Sequence, residues 1–194
     1  MTKTMSYAEL VKNNRSRRRF HQEVGVDMAI LRELVELARL TPSARNLQPL
    51  KYILSNTAEK NAKIFSCLSW ALDLKGWGGP VEGERPPAYI VILGDTEIAK
   101  TVMCDHGIAA QTIMLGAVDK GLGGCIMASV RRDQLRELLA IPQRYEILLV
   151  LALGKPKEEV VIETLCGGGD IKYWRDGTGV HHVPKRALDD IIVG

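Results

Sequence analysis

Four arginines fall within five positions of this chain, Arg15, Arg17, Arg18 and Arg19, with Asn14, Ser16 and Phe20 beside them. A guanidinium donates hydrogen bonds and accepts none, so four of them around the Ser16 hydroxyl make a site for something anionic. A second polar loop, Pro42-Ser43-Ala44-Arg45-Asn46-Leu47-Gln48-Pro49, lies between a helical pattern and a strand-like one. Cations that take a phosphate, next to amides that can face a flat heterocycle, have the shape of a flavin nucleotide site. Two plainer readings compete, since short basic runs also serve as solvated surface or as nucleic-acid patches. The whole chain argues against nucleic acid: 26 basic against 23 acidic residues leave a net charge of +3, too little for a domain-wide positive field. Aromatic residues are 5% of the chain and do not interleave with the arginines, so a base-stacking platform is missing as well.

Other chemistries fail on context. Cys67, Cys104, Cys125 and Cys166 are widely spaced without a Cys-x-x-Cys pair, which reads as free buried thiols rather than a disulfide frame or a metal site. No Gly-x-Ser-x-Gly elbow occurs, and His21, His106, His181 and His182 fit no nucleophile or metal pattern. His106, inside an apolar helical stretch, reads as a core histidine satisfied by one hydrogen bond. Glu158-Glu159 and Asp189-Asp190 read as surface, because adjacent acids point apart on a helix or a strand. Gly121-x-Gly123-Gly124 follows a helix and precedes a strand, the reverse of a dinucleotide-binding turn. Gly154-Lys155-Pro156 lacks the hydroxyl and the upstream glycine of a P-loop. Gly167-Gly168-Gly169 reads as flexible chain that would let the tail cross to another subunit. A ligand site without a set of bond-making side chains points to a cofactor that carries the chemistry, so no residue is assigned as catalytic.

The elements that must position these loops follow from periodicity. At 194 residues, 46% hydrophobic and 25% charged, the chain reads as one domain over 1–194, α/β by default. No uninterrupted apolar stretch nears the ~18 to 20 residues of a spanning helix and the first twenty residues lack an apolar leader, which makes the expected address cytoplasmic, without membrane contact. Asp27 reads as the N-cap of a helix to Leu40, with Ile30, Leu31, Leu34, Val35 and Ala38 on one face and Thr41-Pro42 as its stop. Lys51 to Ser55 reads as a strand, and Ala58 to about Lys75 as a helix with Phe65, Leu68 and Leu72 aligned. Trp77 through Pro87 reads as a turn-rich lid or substrate-side loop. Ala88–Gly94 and Glu146–Gly154 are continuous apolar runs, hence strands buried on both faces beneath helices. Asp105 to Lys120 is apolar nearly all round and belongs inside the protein. Cys125 to Ala128 reads as a short strand, Arg132 to Ala140 as a helix, and the chain from Pro156 on as a mixed tail.

In their order and spacing these motifs resemble the FMN-dependent nitroreductase superfamily over nearly the whole chain. The resemblance rests on Arg15, Ser16, Arg18 and Phe20; on Pro42, Ser43, Asn46, Gln48 and Pro49; on the buried helix ending in Gly121-Leu122-Gly123; and on Gly154-Lys155-Pro156 after the last core strand. The tail, Lys172-Tyr173-Trp174-Arg175-Asp176 and then Val180 to Arg186, is similar to that of a small bacterial subgroup.

This resemblance implies an α+β nitroreductase-like fold: a central mixed, mainly antiparallel sheet flanked by helices, in an intertwined homodimer with FMN at two interface sites. The tail, about 157–194, would pack on the partner subunit. Arg15 and Ser16 would hold the ribityl phosphate end and Arg18 the flavin pyrimidine edge, while Lys185 and Arg186 would reach the phosphate. Pro42, Ser43 and Asn46 of the other subunit would line the ring, with Gln48 supporting their loop. Backbone groups near Ile126 and Ala128 would face the ring near N5. Asn14 stands where such families commonly carry an arginine, Leu50 where they carry a tryptophan, and Ala128 where an acid is frequent. The implied activity is ping-pong hydride transfer from NADH or NADPH through flavin N5 to a small aromatic or conjugated acceptor. A cation about 4 Å from the ring would favour the reduced anionic form by on the order of 1 to 4 kcal/mol. The alternative is a flavin-binding or flavin-sensing protein without catalysis.

Overall fold

A computed structural model of the chain describes residues 5–71, 73–165 and 169–194. Leu72, Cys166 and the Gly167-Gly168 pair, each singled out above, lie outside the described residues.

The core is a four-stranded sheet in the order β1-β2-β4-β3, where β1 is Leu50–Ser55, β2 Ala88–Asp95, β3 Gly123–Met127 and β4 Tyr145–Gly154. Every pairing in it is antiparallel, so the α/β default gives way to α+β. The misleading signal was the unbroken apolar run, which marks burial on both faces and not strand direction. Along β2, Ala88, Ile90 and Ile92 enter one core while Tyr89, Val91 and Leu93 enter the other. The first core is closed by α2 (Met28–Arg39), through Leu31, Leu34 and Ala38, and by α4 (Asp105–Asp119), through Ala109, Ala110, Ile113, Met114 and Ala117. Ile64 of α3 (Ala58–Phe65) and Leu135 of α5 (Arg132–Leu138) help close the second.

Three sequence expectations are corrected. The helix from Ala58 ends at Phe65, not near Lys75. Leu68 instead forms a β-bridge with Val130, Ser69 N–H donates to the Ser129 carbonyl at 3.0 Å, and Arg131 N–H donates to Cys67 O at 2.8 Å. Tertiary hydrogen bonding there overrides helical spacing. The tail from Pro156 on, read only as mixed, holds a second sheet: β5 (Val160–Thr164), β6 (Trp174–Arg175) and β7 (His181–Lys185) lie in the order β5-β7-β6, with β5 and β7 parallel. Finally, α4 buries one side only, since Gly107, Ile108 and Gln111 are exposed in the single chain. An opening helix, α1 (Tyr7–Asn13), carried an unread signal: Ser6 and Glu9 form a capping box, with Glu9 N–H donating to Ser6 Oγ and Ser6 N–H to Glu9 Oε2.

Candidate functional site

The arginine run adds itself to the edge of the main sheet. Ser16 forms a parallel bridge with Gly124 of β3, and Arg17 N–H donates to the Gly124 carbonyl at 2.8 Å. A side chain at 124 would collide with the backbone of Ala152 on the neighbouring strand, so glycine is required for this close packing. Phe20, fully buried, bridges to Pro156 and anchors the far end of the run.

The four guanidinium groups then separate. Arg19 closes a two-pronged ion pair on Glu84, both contacts 2.6 Å, and with Lys157 at 3.2 Å it holds the Glu84 carboxyl down at about 2. Arg17 donates to the Glu158 carbonyl at 2.5 Å. Of the four, Arg15 and Arg18 line the hollows described next. Arg15 donates through Nη2 to the Val11 carbonyl at 3.0 Å, while its buried Nε has no acceptor among the described residues.

Two adjoining hollows share Arg18 and Tyr173 in their walls. One, about 280 Å³, is bounded by Asn14, Arg15, Ser16, His181, Val183 and Lys185 besides the shared pair. Its ionisable wall is cationic or neutral, which suits an anion. The other, about 230 Å³, is walled by Cys125, Ile126, Met127 and Ala128, with Ser69, Ala71, Asp73 and Ser129 facing them. Since β3 is the last strand of its sheet, this wall presents the kind of backbone edge that pairs with an added ligand. Burial raises the Cys125 thiol above its ordinary range, against the pull of Arg18 and Ser16, so it is not a reactive thiolate.

Arg18 is held from several sides. Its Nη1 lies 3.3 Å from Nε2 of His181 and its guanidinium stacks 4.9 Å from the centre of the Tyr173 ring. Its backbone N–H donates to a carboxylate oxygen of Glu158, which also accepts from Arg19 N–H at 3.2 Å and, through its second oxygen, from Arg175 Nη2 at 2.7 Å. The reading of Glu158 as surface is therefore wrong: its side chain is 1% exposed, while Glu159 next to it faces solvent. Adjacent acids do point apart, but one of these points inward. Arg175 in turn lies 4.5 Å over Trp77, tying the tail to the 73–87 excursion. The Trp77 to Pro87 part of that excursion is irregular as expected, whereas 73–75 had been expected to be helical; Gly79 turns it at φ +116 with its backbone against the Trp70 indole.

Pro42, Ser43 and Gln48 line a separate hollow of about 530 Å³ between α2 and β1. Arg45, Asn46 and Gln48 all have positive φ, at 53, 56 and 53 degrees, a left-handed conformation that costs non-glycine residues about 1 to 2 kcal/mol each. Buried Asp105 at the start of α4 holds this shape, accepting from Ser43 Oγ at 2.5 Å and from Ala44 N–H at 3.1 Å. Ser43 Oγ accepts in turn from Gln48 N–H at 2.9 Å. Asn46 is exposed.

Of the residues singled out in the sequence, the fold thus gathers Arg15, Ser16, Arg18, Ile126, Ala128 and Lys185 around the paired hollows. Arg186 lies just past β7, exposed. The Pro42 loop leads into β1, at the opposite edge of the sheet from β3, and those two strands are three strand spacings, about 14 Å, apart. Sequence reasoning missed Glu158, His181, Tyr173 and Asp105. Cys104 is exposed, contrary to the buried-thiol expectation, and His106 leaves a buried Nδ1 without a partner rather than satisfied. Among the described residues no cluster of potential metal ligands occurs, and no helix is long and apolar enough to cross a membrane.

Comparison with known proteins agrees with the fold. A family model described as the Nitroreductase family matches residues 11–155. A relative from Archaeoglobus fulgidus, named provisionally as an NADH dehydrogenase/NAD(P)H nitroreductase, is 28% identical over 137 residues, covering 66% of this chain and 74% of its own length. A solved structure of an FMN-dependent nitroreductase from Clostridium difficile is 26% identical with a TM-score of 0.63, over 77% of this chain and 87% of that one. A nitroreductase family protein from Streptococcus pneumoniae shares the fold, with a TM-score of 0.70 over 97% of this chain and 100% of that one, at 20% identity.

Proposed function

The chain belongs to the nitroreductase family, and from that membership we propose an FMN-dependent oxidoreductase that takes hydride from NADH or NADPH and passes it to a small aromatic or conjugated acceptor. The observation that carries this reading is the pair of hollows joined at Arg18. One is walled by the donor-bearing side chains of Asn14, Arg15, Ser16, Arg18 and Lys185, and the other by the edge of β3. A phosphate accepts hydrogen bonds only, and a flavin ring presents acceptors and a donor along one side, so the residues fit FMN.

Arg15, Ser16 and Lys185 would hold the phosphate, with Arg186 closing from the chain beyond β7. Charge-assisted contacts contribute roughly 1.5 to 3 kcal/mol each, so a few of them suffice with Asn14 neutral. Arg18 would keep a positive charge at the pyrimidine edge. Backbone groups of Ile126 and Ala128 would orient the ring, and the 73–87 excursion, tied down by Glu84 and Trp77, would limit water on the open side. When bound, FMN supplies the hydride acceptor and donor that no side chain here provides.

Because the Pro42 loop and the Arg18 segment lie at opposite sheet edges, we infer that a second copy of the chain brings its Pro42, Ser43, Asn46 and Gln48 to the ring. The test is purification followed by FMN addition and anaerobic titration with NADH and NADPH. The expected result is a yellow protein that bleaches with at least one nucleotide. A protein that binds no FMN would end this reading, and one that binds FMN but stays oxidised would be a flavin carrier.

A further inference from the structure

His181 opens β7 with its residue 1% exposed, inside the wall of the donor-rich hollow. Its Nε2 lies 3.3 Å from Nη1 of Arg18. Because the guanidinium has donors only, this contact is a hydrogen bond only when Nε2 carries no proton. The imidazole is then neutral with its proton on Nδ1, and Nδ1 is buried with no acceptor among the described residues. A donor left without an acceptor in a folded chain is unusual enough to call for a reason. The Tyr173 ring, 5.2 Å from the imidazole and 4.9 Å from the guanidinium, completes the cage.

We propose that His181 is a positioning residue for Arg18: its neutral imidazole accepts from the guanidinium and holds that cation where the two hollows meet. The role rests on the functional reading above, in which Arg18 faces the pyrimidine edge of FMN. The charged groups around the ring suit the task. Arg18, Arg175 and His182 disfavour a proton on it, Glu158 favours one, and burial weighs most, so that His181 is pushed down to about 4. His182, the next residue, shows that this is a matter of place. Its ring lies between Glu163, at 2.7 Å, and Asp176, at 3.2 Å, and those carboxylates raise it.

Two measurements decide the matter. In the flavin-free protein, nitrogen NMR of the imidazoles at about pH 5.5, between the two histidine values, should find His181 neutral with its proton on Nδ1. An imidazolium or an Nε2–H form there overturns the proposal. In the FMN complex, His181→Leu removes the acceptor while His181→Gln restores one as an amide oxygen. FMN affinity should fall about tenfold in the leucine variant, with a shifted midpoint potential, and return to within about threefold of wild type in the glutamine variant. Equal behaviour of the two variants, whether both wild-type or both impaired, would refute the acceptor role. Wild-type protein that binds no FMN would instead overturn the functional reading and with it the role toward flavin, the tautomer alone then deciding the bond to Arg18.

Discussion

Glu158 and Glu159 show how far residue types reach and where they stop. On the page of sequence they are interchangeable; in the fold one carboxylate gathers donors from Arg18, Arg19 and Arg175 while the other is solvated. Removing one partner from a buried ionic cluster leaves the rest uncompensated, so Glu158→Ala should lower unfolding stability by about 3 to 5 kcal/mol. Glu159→Ala should stay within about 0.5 kcal/mol of wild type. Urea unfolding of the pair checks both, and equal effects would contradict the assigned geometry. Arg15, Ser16 and Arg18 were legible because charge density and a fixed motif mark them. His181, Tyr173 and Asp105 were not, since each acts through a partner distant in sequence, 163 positions away for His181 and Arg18.

Elements with strong periodicity or an unbroken apolar run were read well. α2, α4 and the strands β1, β2 and β4 fall within a residue or two of expectation. The failures occurred where pairing rather than periodicity decides. Leu68 sits at helical spacing from Phe65 yet bridges to Val130, and the half-buried strands β5 and β7 carry too little alternation to announce a sheet. The 73–87 excursion is fixed to the arginine run by Glu84, whose carboxyl is held at about 2 against an ordinary 4.5. Being depressed in the folded state, it contributes stability in full above about 4.5, and that contribution is lost as pH falls from there through about 2. Its size is at most about 3 kcal/mol. Glu84→Gln should therefore destabilise the protein at neutral pH, and urea midpoints of variant and wild type should converge toward about pH 2 to 3. A gap that persists in acid would place the effect elsewhere than in this carboxylate.

At the scale of the whole molecule, the proposed site has its two halves at opposite edges of one chain's sheet, and the chain leaves apolar side chains exposed. Ile108 on α4 is 38% exposed, and Leu188, Ile191, Ile192 and Val193 at the end of the tail are exposed as well. In the proposed function, a two-fold dimer would cover part of this surface and bring each Pro42 loop to the other chain's Arg18. Family and fold were legible in the motifs, and the resemblance implied a site shared between chains; the strand order that puts β1 and β3 at opposite edges was not legible, because it is a property of long-range pairing. The most direct test mixes two variants in one dimer: a chain carrying Arg15→Ala with Lys185→Ala, and a differently tagged chain carrying Asn46→Ala with Gln48→Ala. Each variant alone should bind FMN poorly, whereas the purified mixed dimer, with one intact site rebuilt from complementary halves, should bind about one FMN per dimer with near wild-type affinity. Mixed dimers that bind no better than their parents would contradict a flavin site shared between two chains.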